Sequence, residues 1–173
     1  MQSIETQRKG YLALAEISLS ESRRNEFESF IASLDDYNGH DDYYTTLNFV
    51  MNWLNEQGIA WICALDWKSD IGLLRSKIEQ QLAGNFGAEV DLPDPASFGE
   101  FSSVSKPLAF VAYDDALREF EFQLGFIDTE NDEYVIFVHR VEDAEAAREA
   151  VGKIGYRYMD RESPNVRNEP PVG

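Results

Sequence analysis

Cysteine and histidine are scarce in this chain, which has one cysteine and two histidines among 173 residues. The single cysteine, Cys63, excludes an intrachain disulfide, and its place in an apolar run predicts a small buried side chain. One cysteine and two distant histidines match no recognised zinc-ligand spacing. We therefore expect no metal ion and no cofactor, although a carboxylate site for a hard cation is neither indicated nor excluded.

Basic residues are also few: 15 Lys and Arg stand against 32 Asp and Glu, for a formal net charge of −17. Proteins that bind nucleic acids or anionic lipids gain affinity from Lys and Arg, so neither partner is expected. The chain has no apolar run of transmembrane length and no basic region followed by an apolar core at its start. These absences favour a protein of the reducing cytoplasm.

Hydrophobic residues, in contrast, make up 43% of the chain and aromatic residues 13%. Disordered acidic chains lack such residues, so the charge is expected to coat a folded core. The length favours one domain. No block of sequence forms a separate acidic tail, and no internal repeat is present.

Hydrophobic periodicity predicts an α+β fold, in which residues 1–57 are all helical. The continuous apolar run 59–65 predicts a central strand that is covered on both faces. Two further runs, 124–128 and 133–139, are separated by a four-residue turn and predict an antiparallel hairpin. Residues 85–104 are expected to form a long loop, with a short strand at 88–92 left open.

These elements assemble into a single domain over residues 1–160. Its predicted core is a mixed sheet of about four strands, packed by about six helices. Beyond residues 1–57, helices are predicted at 70–82, from Ser105 onward and at 142–153, with an edge strand at 156–158. Residues 161–173 are expected to be a flexible tail.

Common catalytic signatures are missing from the sequence. It contains no phosphate-binding Gly-x-x-x-x-Gly-Lys-Ser/Thr loop, no Gly-x-Gly-x-x-Gly turn, no Gly-x-Ser-x-Gly elbow and no His-Glu-x-x-His helix. No catalytic residue is therefore assigned, and the sequence favours a protein that is not an enzyme.

The first candidate binding residues are Asp66, Trp67 and Asp70, which follow the predicted strand 59–65 and precede a helix. Ligands often collect at the carboxyl ends of strands in open sheets. The alternative, which we favour, is that Ser69 or Asp70 caps the helix while Trp67 packs on its first turn.

The second group is Asp128, Glu130 and Asp132 in the hairpin turn, which occupy positions 1, 3 and 5 of a would-be calcium loop. Its sixth position is Glu133 instead of glycine and its twelfth is His139 instead of glutamate, so a solvated turn is favoured. His139 is a candidate general acid or base, although an ordinary hydrogen-bonding role at a strand end is favoured.

The third group is Tyr43 and Tyr44, which follow Asp41 and Asp42. Exposed, they would form an aromatic and acidic patch suited to a protein interface, where tyrosine is enriched. Buried, they would form the first turn of the third helix. The sequence leaves both alternatives open.

Two segments, Leu65–Asp70 and Leu124–His139, resemble segments of an uncharacterised family of small bacterial proteins, known as a domain of unknown function. The resemblance spans residues 59–139. It implies a bacterial origin and brings no activity or catalytic residue with it.

The function favoured by the sequence is that of a non-catalytic, acidic protein-binding module that resembles an immunity protein or antitoxin and captures a basic protein. The alternative is a small-molecule-binding domain or enzyme, with a carboxylate-lined pocket near Asp66 and the Asp128–His139 hairpin. That alternative requires Asp66, Asp128 and His139 to lie within about 15 Å of one another. The sequence gives no oligomeric state.

Overall fold

The computed structural model describes residues 2–35 and 46–169. These residues form seven α-helices and four β-strands. The helices are α1 Ile4–Ser18, α2 Glu21–Ala32, α3 Thr46–Gln57, α4 Ile71–Gln81, α5 Ala109–Arg118, α6 Ala144–Ile154 and α7 Pro164–Arg167. The strands are β1 Cys63–Asp66, β2 Phe122–Asp128, β3 Glu133–Arg140 and β4 Arg157–Met159.

The four strands form one sheet in the order β1-β3-β2-β4. Strands β2 and β3 form the predicted hairpin, with Phe126 opposite Ile136. All three strand pairings are antiparallel, so the expectation of a mixed sheet is wrong in that detail. The single α+β domain, its four strands and its all-helical start up to residue 57, over the described residues, are confirmed.

The apolar run 59–65 does not form the expected central strand. Only Cys63–Asp66 is a strand, and it lies at the edge of the sheet, paired with β3 alone. Trp61 and Ile62, at 1% and 2% exposure, are buried before the strand begins and pack with the first three helices. The run is apolar throughout because one core covers Trp61 and Ile62 and the other core covers Leu65. The sequence pattern alone does not distinguish this arrangement from a central strand.

The sheet separates two hydrophobic cores, and the alternation along β3 explains both. Val135 and Phe137 belong to the core shared with α1, α2, α3 and α6, whereas Ile136 and Val138 belong to the core shared with α4, α5 and α7. Successive side chains of a strand point to opposite faces. A strand that is apolar at every position is therefore the strand covered by helices on both sides.

Gly10 explains how α1 and α6 pack so closely. A Cβ atom at this position would lie 2.7 Å from the Ala150 carbonyl oxygen and 2.8 Å from the Ile154 nitrogen. Glycine lowers helix propensity, so it weakens a helix prediction from sequence. Here the close helix contact requires it, because any side chain would push the two backbones apart.

Residues 87–104 form the predicted long loop, interrupted by one short turn of helix at Pro95–Phe98. The segment 88–92 is not a strand, because it pairs with no other strand, although Val90 and Leu92 are buried. Helix α5 ends at Arg118 and β2 already begins at Phe122, two residues earlier than predicted.

The segment expected to be a flexible tail packs against the domain over its described residues, 161–169. It contains α7, and the Val166 side chain is only 1% exposed in the core shared with α4 and α5. The Leu108 amide donates a hydrogen bond of 2.8 Å to the Arg167 carbonyl oxygen. One apolar residue and a backbone hydrogen bond thus anchor a segment whose composition resembles a tail. No helix in the described ranges has the length and apolar character needed to cross a membrane.

Candidate functional site

The end of β1 and the β2–β3 turn lie side by side at one end of the sheet. The Trp67 amide donates a hydrogen bond of 3.2 Å to the Asp132 carbonyl oxygen, which extends the β1–β3 pairing by one step. Together with α7 they surround a cavity of about 290 Å³, which we call the hairpin-end cleft. It is lined by Trp67, residues 126–135, Met159, Asn165 and Asn168. Four residues predicted from sequence therefore line one cleft: Trp67, Asp128, Glu130 and Asp132.

Two carboxylates face each other beside this cleft. Asp66 lies directly opposite Glu133 in the β1–β3 register. Their side chains are on the same face, because Leu65 and Tyr134 pack with the core on the other face. Directly opposite side chains have Cβ atoms about 5 Å apart, and like charges there destabilise a strand pair. Among residues 2–35 and 46–169, no Lys or Arg forms an ion pair with either carboxylate.

Trp67 presents an exposed aromatic ring at the same place. Its side chain is 45% exposed, and the Lys68 ammonium lies 5.1 Å from the ring centroid. A cation at that distance from an indole ring is attracted by the negative face of its π-system. The ring is therefore a surface on which a positively charged group rests.

The turn itself uses one of its acidic residues for structure. The Asp128 carboxylate accepts hydrogen bonds from the Arg157 guanidinium at 2.8 Å and from the Glu130 amide at 2.9 Å. The Glu130 and Asp132 side chains are exposed, and neither forms an ion pair with a described residue. The Thr129 hydroxyl oxygen, which borders the cleft, is buried and has no hydrogen-bond partner among the described residues.

Asp70 has a local structural role at the start of α4. Its carboxylate accepts a hydrogen bond of 2.9 Å from the Gly72 amide, which is the N-terminal cap that we favoured. Asp70 does not line the hairpin-end cleft. Across the described ranges, no group of three or more His, Cys, Asp or Glu side chains is arranged to hold a metal ion.

His139 lies at the other end of the hairpin and is completely buried. Its Nδ1 donates to the Arg140 carbonyl oxygen at 2.6 Å, and its Nε2 accepts from the Tyr158 hydroxyl at 2.7 Å. The Tyr158 oxygen accepts in turn from the Gln123 amide at 3.0 Å. Burial lowers the pKa of His139 below its ordinary value, and burial raises the pKa of Tyr158. Both groups are therefore neutral at pH 7.

The distance along β3 separates His139 from the cleft. Glu133 and His139 are six residues apart in one strand, which corresponds to about 20 Å. The structure therefore does not bring Asp66, Asp128 and His139 into one pocket. The ordinary hydrogen-bonding role of a strand-end histidine agrees with these contacts.

Tyr43 and Tyr44 lie outside the described residues. The thiol of Cys63 is half-buried, and burial raises its pKa to about 11, so it is protonated at neutral pH.

Sequence reasoning missed two features. Phe101, in the long loop, is 95% exposed, and its signal in the sequence is an aromatic residue flanked directly by the polar residues Glu100 and Ser102. Asp114 is 2% exposed on the buried side of α5 and binds Arg118 at 2.6 Å and Arg161 at 3.2 Å. Its signal is an acidic residue at a helix position whose neighbours at i−4 and i+3, Phe110 and Leu117, are apolar.

A family model described as a domain of unknown function (DUF6630) matches residues 10–162 of the chain. No curated protein and no solved structure matches it. The family match covers the complete sheet, the β2–β3 turn and every buried residue of the two hydrophobic cores except Val166. With most of its length matched, from α1 to the residues before α7, the chain belongs to this DUF6630 family.

Proposed function

We propose that this protein is a non-catalytic binding module that captures a basic protein, in the manner of an immunity protein or antitoxin of the bacterial cytoplasm. The contact is made by the hairpin-end surface, which consists of Asp66, Trp67, Glu130, Asp132 and Glu133. The observation that carries the proposal is the opposition of Asp66 and Glu133, neither of which forms an ion pair with a described residue, beside an exposed Trp67.

A like-charged pair across two strands lowers the stability of the free protein. A cationic side chain from a partner removes that penalty, because it interacts with both carboxylates at once. The same cation lies next to the Trp67 ring, whose face already accepts the Lys68 ammonium at 5.1 Å. An Arg guanidinium suits this position best, since it stacks on aromatic rings and binds carboxylates through two N–H groups.

Solubility alone explains a net charge of −17, but it does not explain this arrangement. Solubility is served equally by acidic residues anywhere on the surface, and these occur along the whole chain. It gives no reason to place two carboxylates in direct opposition or to leave a tryptophan 45% exposed next to them. The overall charge contributes in another way, because it accelerates the approach of a basic partner at low ionic strength.

The test uses a hexa-arginine peptide as the probe and amide NMR spectra of the full chain at low salt. We expect chemical-shift changes that centre on Trp67 and residues 130–133, with an affinity that falls as salt is added. The triple variant Glu130→Gln/Asp132→Asn/Glu133→Gln is expected to bind the peptide about tenfold more weakly.

A matched control removes three acidic groups elsewhere. Glu28, Glu56 and Glu149 are exposed on α2, α3 and α6 and form no ion pair with a described residue. Their triple change to Gln alters the net charge equally, so it is expected to weaken binding only about twofold, through the general field. Equal losses in the two triple variants would show that the peptide senses net charge and not this surface, and would refute the proposal.

A second candidate function is a small-molecule-binding domain, which the volume of the hairpin-end cleft favours. At about 290 Å³ it is close to the lower limit of ligand pockets. Its acidic lining suits a small cation such as an amine or a guanidine. Arginine amide that binds as tightly as the hexa-arginine peptide would favour this candidate, whereas a large advantage of the peptide favours the protein partner.

A further inference from the structure

The exposed large hydrophobic side chains are not scattered over the molecule. In the part of the chain that the structure describes, five such residues are exposed, and four of them come from two segments, 67–73 and 101–108. Those four are Trp67 at 45%, Leu73 at 42%, Phe101 at 95% and Leu108 at 39% exposure. The fifth, Phe120, lies at the end of α5. A concentration of apolar residues on a surface marks an interaction site more often than isolated ones do.

Backbone hydrogen bonds join the two segments. Asp70 and Ser103 form an antiparallel bridge. It is flanked by bonds from the Ile71 amide to the Ser102 oxygen at 3.4 Å and from the Val104 amide to the Ser69 oxygen at 2.8 Å. These bonds bring the two segments together: Phe101 is next to Ser102 in the chain, and Leu73 follows Ile71 by two residues.

The other half of this surface adjoins the hairpin-end cleft. Trp67 lies two residues before Ser69, whose carbonyl oxygen accepts the hydrogen bond from Val104 at the start of the stretch that leads to Leu108. The Leu108 amide bonds to the Arg167 oxygen, and the following residue, Asn168, lines the cleft together with Trp67. We call Trp67, Leu73, Phe101 and Leu108 the loop surface. Trp67 belongs both to it and to the acidic hairpin-end surface.

Backbone conformation supplies an independent observation. Phe101 and Leu108 have φ values of 60° and 62°, in the left-handed region that side chains other than those of Asn, Asp and Gly rarely adopt. Glu130 and Asn168, which line the cleft, share this conformation. Four of the five non-glycine residues with positive φ in the described ranges therefore lie in the loop surface or the cleft. Strained residues of this kind cluster at binding sites.

We propose that the loop surface is the apolar half of a composite interface whose acidic half is the hairpin-end surface. This inference rests on the proposed function and specifies the partner: a basic segment in which a bulky apolar residue lies close to an Arg or Lys. The apolar residue packs on Phe101 and Leu108 while the cation lies between Asp66 and Glu133. Apolar anchors inside a polar rim are the usual source of affinity in protein interfaces.

Charge decides between this partner and a second copy of the chain. Each copy carries a net charge of −17, and Asp66 and the acidic turn adjoin Trp67, although the segments 67–73 and 101–108 also contain Lys68 and Lys106. Two such surfaces repel each other, whereas a basic segment is attracted to both halves of the interface.

The test compares two peptides of equal charge: hexa-arginine with serine spacers, and the same peptide with leucine and phenylalanine in place of some of the serines. We expect the wild-type protein to bind the apolar peptide about tenfold more tightly. Phe101→Asn is expected to abolish that preference and to leave the affinity for the serine peptide unchanged. Asparagine is chosen because it tolerates a φ of 60°.

Phe120→Asn is the matched control, because Phe120 is 52% exposed outside the loop surface. It is expected to retain the tenfold preference. A wild-type protein that binds both peptides equally would overturn this inference and leave the proposed function standing. Failure to bind either peptide would overturn both. Concentration-dependent dimers in analytical ultracentrifugation that Phe101→Asn abolishes would overturn it in favour of a second copy.

Discussion

Polar side chains at the two ends of the β2–β3 hairpin differ in burial and in the partners that they bind. At the end of β3 that carries His139, the polar side chains are buried and bind one another. At the turn, Glu130, Asp132 and Glu133 extend from the same hairpin without an internal cation. The sequence is polar at both ends, so composition does not distinguish them.

The end of the hairpin that carries His139, which we call the closed end, stabilises the fold through buried hydrogen bonds and ion pairs. Asp114 accepts a hydrogen bond of 2.9 Å from the Leu124 amide in β2, and its second oxygen binds Arg118 and Arg161. It thereby connects α5, the sheet and the segment before α7. Groups that are satisfied in this way stabilise a fold and have little capacity left for a ligand.

The turn end of the hairpin, which we call the open end, instead carries features that lower the stability of the free protein. The opposition of Asp66 and Glu133 and the left-handed backbone of Phe101 and Leu108 all reduce stability, although the Asp66 carboxylate accepts a hydrogen bond of 2.8 Å from the Lys68 amide. Features that break local rules are expected at functional sites. We therefore expect substitutions at the closed end to destabilise the protein, and substitutions at the open end to be neutral or stabilising.

The largest effect is expected for Asp114→Ala. It removes an acceptor that is 2% exposed and leaves the Leu124 amide and the Arg161 guanidinium without their shared partner. Because the Leu124 amide is buried while both arginines are partly exposed, the loss is expected to be about 2–3 kcal/mol of unfolding free energy. Urea unfolding measures the loss. The control Asp132→Ala, at the open end, should change stability by less than about 0.5 kcal/mol. Similar losses in both variants would contradict the expected difference in stability between the two ends of the hairpin.

The pH dependence of stability sharpens the same contrast. The pKa of His139 is lowered in the folded protein by burial, so the unfolded chain takes up a proton that the folded state does not. Stability is therefore complete above the unfolded pKa of about 6.5 and falls as the pH decreases below it, by at most about 1.4 kcal/mol per pH unit.

His139→Gln removes this proton uptake while its amide oxygen still accepts from the Tyr158 hydroxyl. Between pH 7 and pH 5 the variant should lose less unfolding free energy than the wild type does, by no more than about 2 kcal/mol. Urea midpoints at the two pH values measure the difference. Parallel losses in the two proteins would assign the acid sensitivity to carboxylates and not to the closed end.

Phe101→Asn is expected to stabilise the protein. The Phe101 side chain is 95% exposed and has little packing to lose, and its φ of 60° costs about 1–2 kcal/mol for an ordinary residue. Asparagine adopts this conformation at lower cost, so we expect a gain of about 1 kcal/mol in thermal or urea unfolding. A clear loss of stability would mean that Phe101 supports the loop itself.

The smallest effect is expected for Glu133→Gln. It removes the like-charge repulsion with Asp66 and preserves the size of the side chain, so stability should rise by about 0.2–1 kcal/mol. Glu149→Gln, on the exposed side of α6, lowers the net negative charge equally and serves as the control. The gain at position 133 should exceed that of the control and shrink as salt is added.

Much of the fold was predictable because burial imposes a period on the sequence. The apolar residues of α4 recur at Ile71, Leu74 and Ile78, and β3 is apolar without interruption over residues 134–138, between the two cores. The run 59–65 carries the same signal as β3, yet only its last residues pair with the sheet. An apolar run indicates that its residues are buried, but it does not indicate which element buries them.

The candidate site was predictable only where its residues are neighbours in the chain. Asp128, Glu130 and Asp132 belong to one turn, so the hairpin prediction placed them together. The Asp66–Glu133 opposition depends on the register between β1 and β3, which no local pattern contains. Phe101 required the bridge between Asp70 and Ser103, which joins residues far apart in the chain.

Composition and short-range periodicity are enough to identify an acidic α+β domain with an aromatic-rich core, a β2–β3 hairpin and one cysteine. These signals act within a few residues of the chain. The three-dimensional packing adds that the sheet is wholly antiparallel, that His139 lies in a buried hydrogen-bond network, and that the carboxylates of the hairpin turn lie beside the exposed Trp67. Strand register and long-range packing create these features, because they bring together side chains that are far apart in the sequence. No local sequence pattern shows that such residues are neighbours.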